Sequence, residues 1–216
     1  MQQIKLYINN RNNLNEILNN ATRILQNGGV IIYPTDTLYG IGVNALNKNA
    51  IEKIFKIKKR DKNKPISIIV KDIKSAKKIA YIDSKVERIL NKAWPGPITI
   101  ILRKKDVLPY ILTAGNETIA IRIPDNKFVS ALIKNIDFPL TTTSANISGE
   151  ENLYEVKKII EKFNKNEIKP DLFINAGNVK NSIPSTIIDL TNTIPKIVRM
   201  GVVGKNMMQE IFNKFI

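Results

Sequence analysis

Short apolar runs recur along the whole chain, and segments with helical spacing separate them. Val30-Ile31-Ile32-Tyr33 precedes Pro34, and Ile66–Val70, Ile98–Leu102, Thr118–Ile123 and Leu140–Thr143 follow. Leu172–Asn175, Thr186–Leu190 and Lys196–Arg199 read as late strands, and Gln3–Ile8 as a first one. Between them, Asn13–Gln26 carries Leu14, Ile17, Leu18, Ala21, Ile24 and Leu25, the spacing of a helix with one buried face. Asn27-Gly28-Gly29 stops it. Ala50, Ile51, Ile54, Phe55 and Ile57 mark a second helix. Asp72 caps a third through Ala80, Ser84 a fourth through Ala93, and Asp125 a fifth to about Asn135. Tyr154–Phe163 and a segment from Lys205 complete the helices, and Thr35–Asn47 and Ser144–Gly149 read as loops. Strands this apolar, alternating with helices, predict an α/β fold with several strands buried on both faces. No linker or repeat divides the chain, so residues 1–216 read as one domain.

Two residue types are missing: His and Cys are both zero. That excludes a Ser-His-Asp triad, a thiolate nucleophile, Cys/His zinc sites, haem on His or Cys, cysteine-held clusters and disulfides. Any catalysis must use Lys, Arg, Ser, Thr, carboxylates, backbone amides or a hard cation held through oxygen. No apolar run approaches the ~20 residues of a membrane span, and the first residues lack the apolar stretch of a signal peptide. A cytoplasmic protein without membrane association is expected. The net charge of +15 favours a polyanionic ligand. The same excess fits a bias toward Lys, Asn and Ile, so charge alone does not choose a function.

Several local patterns could carry chemistry. Gly40-x-Gly42-x-x-Ala45 matches a loose dinucleotide pattern, but Thr35–Tyr39 separates it from the preceding strand and the helix begins too late. Gly201-Val202-Val203-Gly204-Lys205-Asn206 is too short for a phosphate-binding loop and lacks its Ser/Thr. Pro34-Thr35-Asp36-Thr37-Leu38-Tyr39-Gly40 lies at the C-terminal end of a buried strand, where open α/β sheets bind ligands. Its composition also fits a tight turn with Asp36 bonded locally. The run Lys53, Lys56, Lys58, Lys59, Arg60, Lys62, Lys64 fits a solvated helix end, or a phosphate site if Lys58 and Arg60 turn inward. Thr141–Gly149 gathers hydroxyls and one amide after a strand, which suits phosphate or a bound amino acid, or equally a strand-end turn. Arg122, Ser185, Thr186 and Arg199 stand singly at strand ends and together would ring one face of a sheet. Trp94-Pro95-Gly96-Pro97 reads as architectural, fixing the entry into a strand.

In order, these segments resemble the YrdC family of threonylcarbamoyl-AMP synthases. The likeness runs from Gly28-Gly29 through Pro34–Gly40, Lys58-Lys59-Arg60, Trp94–Thr99, Ala120–Pro124 and Ser144–Gly149 to Pro184-Ser185-Thr186 and Val198–Gly201. The resemblance implies a twisted open mixed sheet flanked by helices, with a basic concave face. It implies a nucleotidyltransferase that joins L-threonine and bicarbonate to the AMP of ATP, releasing pyrophosphate, with Mg²⁺ accompanying the ATP. The product serves partner proteins that modify adenosine 37 of tRNA (t⁶A), and tRNA or double-stranded RNA is a further possible ligand.

Residue by residue, the resemblance assigns catalysis to Lys58 and Arg60. It assigns ATP contacts to Lys58, Arg60, Ser144, Asn146 and Arg199. Threonine and bicarbonate fall to Thr35, Thr37, Arg122 and Ser185, and no protein-held metal is expected. Thr143 stands where the family often has proline, Ala176-Gly177 where it has Gly-Gly, and Ile68-Ile69 where many members carry His. Two other readings stay open: a non-catalytic RNA-binding module, and a paralogue making a different carbamoyl or acyl adenylate.

Overall fold

The computed structural model describes residues 1–7, 10–179 and 183–204. The helix expected from Lys205 lies outside the described residues. The elements in order are β1 (Gln2–Lys5), α1 (Arg11–Gln26), β2 (Ile31–Pro34), β3 (Tyr39–Gly42), α2 (Lys48–Lys58), β4 (Ser67–Ile69), α3 (Ile73–Ile79) and α4 (Ser84–Ala93). They continue as β5 (Ile98–Arg103), α5 (Tyr110–Thr113), β6 (Thr118–Arg122), α6 (Lys127–Asn135), β7 (Leu140–Ser144), α7 (Val156–Asn164), β8 (Leu172–Asn175), β9 (Thr186–Asp189) and β10 (Lys196–Arg199).

The described strands form one mixed sheet in the order β1-β8-β2-β3-β7-β4-β6-β5-β9-β10. β8 runs parallel to both β1 and β2, while β2-β3, β3-β7 and β7-β4 are antiparallel. β4-β6 and β5-β9 are parallel, and β6-β5 and β9-β10 antiparallel. The expected α/β class and mixed open sheet are therefore observed.

Period-two alternation sorts the side chains to two faces. Ile98, Ile100 and Leu102 of β5, Ile119 and Ile121 of β6 and Ile188 of β9 enter one core with Ile51, Ile54 and Phe55 of α2, Leu90 of α4 and Phe163 of α7. On the other face Ile31, Tyr33, Ile69, Leu140, Leu172 and Ile174 pack beneath Ile17, Ala21 and Leu25 of α1 and Phe128 and Leu132 of α6. The second layer stops at β4. Thr99 and Ile101 of β5, Thr118, Ala120 and Arg122 of β6 and Ile187 of β9 line an open cavity on that same face.

Four local expectations are corrected. The loop read over Thr35–Asn47 contains β3, whose burial is complete. Its glycines matched a loose dinucleotide pattern in the sequence, yet they serve close packing. A Cβ on Gly42 would sit 2.7 Å from Tyr33 Cε1, and one on Gly40 3.1 Å from Tyr33 Cζ. The capping side chains of α4 and α6 are Asp83 and Asn126, accepting from Val86 N at 2.7 Å and Val129 N at 3.0 Å. Adjacent Ser84 and Asp125 carry equally good capping groups, so spacing alone picks the wrong neighbour. The helix read from Tyr154 begins at Val156, where Asn178 Oδ1 accepts the Val156 N–H at 2.9 Å. The short α5 has no counterpart in the sequence reading.

Candidate active site

Three strand ends and two loops converge on the open half of the sheet. β2 delivers Thr35, Asp36 and Thr37 just past its C-terminus. The hydroxyl of Thr35 donates to Leu38 O at 2.6 Å and accepts the N–H groups of Thr37 and Leu38 at 3.1 and 3.2 Å. Thr35 thus ties the turn, and the hydroxyl of Thr37 is left beside Arg122.

Arg122 ends β6 and is 6% exposed. Its Nε donates to Gly96 O at 3.0 Å, its Nη1 to Thr37 Oγ1 at 3.0 Å and its Nη2 to Asp36 Oδ1 at 2.7 Å. Burial pulls this guanidinium below its ordinary range, and the Asp36 carboxylate pushes it back. The turn Trp94–Pro97, read as architectural, therefore also holds the arginine through Gly96. Trp94 Nε1 donates to Ile98 O at 2.8 Å, and Gly96 N to Ile123 O at 2.9 Å, so the turn is bonded on both sides.

The end of α2 separates two neighbouring cations. Lys59 takes a left-handed conformation, φ 50°, a costly choice for a residue with a Cβ. Lys58 is sent inward and Arg60 toward the cavity. Lys58 is 1% exposed. Its Nζ donates to the carbonyls of Ser144 and Asn146, the latter at 2.7 Å, and to Asn146 Oδ1 at 3.2 Å. Burial, and secondarily the charge of Arg60, bring its ammonium down to about 7. Arg60 donates to Lys64 O at 3.2 Å and Pro65 O at 2.8 Å. Ser144 Oγ donates to Asn146 Oδ1 at 2.7 Å, and Asn146 Nδ2 to Glu150 O at 2.7 Å. Lys58 thus knits the loop after β7 to the end of α2.

On the far side, Arg199 of β10 donates twice to Ser185 O, at 2.8 and 3.2 Å, and to Ser185 Oγ at 3.2 Å. The hydroxyls of Ser185 and Thr99 lie 2.9 Å apart. Gly201 permits this approach, because a Cβ there would lie 2.1 Å from Pro184 O.

The cavity has a volume of about 370 Å³. Seven of the expected site residues line it: Thr35, Thr37, Arg60, Arg122, Ser144, Ser185 and Arg199. Lys58 and Asn146 stand one layer behind. Ser67, Thr99, Thr118 and Asn152 line it too and were not anticipated. Three of these were readable, since Ser67, Thr99 and Thr118 are the polar positions of otherwise apolar alternating strands. Among the described residues, three of the chain's seven arginines line the cavity, but none of its twenty-seven lysines and no carboxylate. Such a wall of forked cations and hydroxyls can hold planar or tetrahedral oxyanions in fixed orientation.

The donor set does not suit a protein-held divalent cation. Among the described residues no group of three or more His, Cys, Asp or Glu side chains converges. The Asp36 carboxylate beside the cavity residue Arg122 is spent on that arginine and on the N–H of Asp125 at 3.2 Å.

The fold agrees with the comparisons. The Sua5/YciO/YrdC family, described as telomere recombination, matches residues 23–201, and the chain belongs to it. Among its relatives, a Methanocaldococcus jannaschii protein provisionally named a threonylcarbamoyl-AMP synthase is 42% identical over 200 residues, 93% of each chain. The threonylcarbamoyl-AMP synthase of Pyrococcus abyssi is 33% identical over 182 residues, and the match spans about half of that longer protein, 53%. The crystal structure of Pyrococcus abyssi Sua5 complexed with L-threonine superposes with a TM-score of 0.88 at 28% identity, covering 99% of this chain and 61% of that one. Escherichia coli YciO superposes with a TM-score of 0.83 at 28% identity, covering 95% of this chain and 97% of that one.

Proposed function

We propose that this chain is an L-threonylcarbamoyladenylate synthase acting in tRNA t⁶A37 formation, with residues 1–216 as one domain. The observation that carries the reading is the cavity's use of arginine. Among the described residues, a lysine-rich chain lines one concave hydroxyl-rich face with three of its few arginines and with no lysine. All three substrates are anions or carry a carboxylate, so a site that joins them must hold several negative groups close together.

In this reading Arg60, Ser144 and Arg199 take the ATP phosphates, with Lys58 and Asn146 supporting them from below. Arg122, Thr37, Thr35 and Ser185 take threonine and bicarbonate. The threonine amine and bicarbonate give an N-carboxy group and water. A carbamate oxygen then forms a bond to the α-phosphorus, the bond to the β-phosphate bridging oxygen breaks, and pyrophosphate leaves. No enzyme nucleophile is needed, in keeping with a chain that has neither His nor Cys. Mg²⁺ belongs to this proposal as part of the ATP substrate. Partner proteins that consume the product, direct tRNA contact and a cytoplasmic site of action belong to it as well. Among the described residues no helix is long and apolar enough to cross a membrane.

The test is to incubate the protein with ATP, Mg²⁺, bicarbonate and each amino acid in turn, and to identify the adenylate by mass spectrometry. Threonylcarbamoyl-AMP with threonine alone is the expected product. The paralogue reading draws on the likeness to YciO, an uncharacterized protein of Escherichia coli, 32% identical over 201 residues. Adenylate formation with another acid in place of threonine would favour it.

A further inference from the structure

The three cavity arginines are not electrically alike. Arg122 Nη2 makes an ion pair with Asp36 at 2.7 Å, with side chains 7% and 13% exposed. Arg60 and Arg199 bond only carbonyls and the Ser185 hydroxyl, and neither forms an ion pair among the described residues. Asp36 is itself held, since its second oxygen accepts the Asp125 N–H. An arginine has five N–H donors. Three of those on Arg122 are spent on Gly96, Thr37 and Asp36, which leaves two, one on each terminal nitrogen, among the described residues. A bidentate carboxylate needs one donor from each.

The consequence is a difference in the charge each end will accept. At Arg122 the cation is offset by the Asp36 carboxylate in a desolvated setting, so the pair itself adds geometry and hydrogen bonds with little net charge, although the charge of Arg199 also bears on Arg122. A phosphate with two negative charges gains little there and meets the Asp36 charge close by. A singly charged carboxylate on a zwitterion suffers less of that repulsion and keeps both hydrogen bonds. Among the described residues no ion pair offsets the positive field at Arg60 or Arg199, although the charge of Asp61 bears on Arg60, and this suits polyphosphate. Repulsion of the wrong ligand is as effective a source of specificity as attraction of the right one.

We propose that Asp36 is a specificity-determining residue: by neutralising Arg122 it reserves that end of the cavity for a singly charged carboxylate and keeps phosphate out. The proposal rests on the reading of Arg122 as the threonine end of the site.

The experiment compares the wild type with Asp36→Asn by titration calorimetry, using L-threonine and inorganic phosphate as probes, separately and in competition. Asn keeps an oxygen acceptor toward Arg122 and removes the charge. Asp36→Ser, read in parallel, covers the case in which Asn turns its amide the wrong way. In the wild type, phosphate is expected to leave threonine affinity within about twofold. In the variant, phosphate should bind at least tenfold tighter and displace threonine competitively. Weakened threonine binding with phosphate still non-competitive overturns the proposal, because that is what a merely structural role produces. Unchanged binding of both probes overturns it too. If the wild type binds no threonine, the amino-acid reading fails instead, and tighter phosphate binding in the variant still supports the charge offset by Asp36.

Discussion

One face of the sheet carries two regions with opposite chemistry. Over β8, β2, β7 and β4 that face is apolar and roofed by α1 and α6, with Tyr33, Ile69 and Leu140 buried beneath the roof. Over β4, β6, β5 and β9 the same face shows Ser67, Thr118, Arg122 and Thr99 to a cavity. The sheet is continuous and its opposite face is mostly apolar, with Ile98, Ile100, Ile121 and Ile188 in one core. What changes is the helical roof and the residue type at every second position. The roofed half supplies the burial that stabilises the fold, and the open half is thereby free to carry buried cations that cost stability. The lysine excess does not build the open half, since among the described residues no lysine lines the cavity.

Substitutions should separate the two halves cleanly. The largest loss of stability is expected from Leu140→Ala beneath the roof. Leu140 is fully buried, and a cavity of that kind costs about 2–5 kcal/mol, read by urea denaturation. Turnover per folded molecule should not change, and a turnover loss matching the stability loss would break the division. Next comes Arg60→Ala in the open half, where removing one fixed cation from a charged transition state costs roughly 10²–10³-fold in pyrophosphate release. The melting temperature should fall only slightly, because Arg60 bonds two carbonyls at the surface. An Arg60 variant with full turnover would remove that residue from the site.

Gly42→Ala returns to the roofed half and tests its packing. The added Cβ meets Tyr33 Cε1 at 2.7 Å and Leu140 Cδ1 at 3.0 Å, an overpacking that should cost about 1–3 kcal/mol. The last effect concerns pH. Lys58 is brought to about 7 in the fold, while its ordinary value is 10.5. Below pH 7 it is charged in both states and the cost of burying it is fully present. Between pH 7 and 10.5 the unfolded chain binds the additional proton, so stability should rise with pH across that window. Lys58→Met should lack this rise in denaturation curves taken at pH 7 and 9, and an identical slope in both proteins would contradict the burial argument.

Much of this contrast was written in the sequence at the level of patterns. The strands Ile98–Leu102 and Thr118–Ile123 were readable from alternation, and the same alternation singles out Thr99, Thr118, Ala120 and Arg122 as one face. The helix of Leu14, Ile17 and Leu18 announced its buried stripe. What escaped was anything set by a partner far along the chain. β3 hid as a loop because Gly40 and Gly42 answer to the ring of Tyr33, a fact of packing that residue type cannot convey. The division of labour within Lys58-Lys59-Arg60 depends on one left-handed residue, so neighbouring cations that look equivalent end in different surroundings, Lys58 buried against the loop after β7 and Arg60 on the cavity wall. Asp36 was ambiguous between a turn and a site because its partner, Arg122, lies 86 residues away.

The central claim is that the open half brings threonine and ATP together in one arginine-lined cavity. The most direct measurement is the rate of pyrophosphate release by the purified protein with ATP, Mg²⁺ and bicarbonate, with and without L-threonine. Release that requires threonine, and that Arg122→Ala abolishes, is the predicted result. Release that proceeds equally without threonine, or none under either condition, would contradict it.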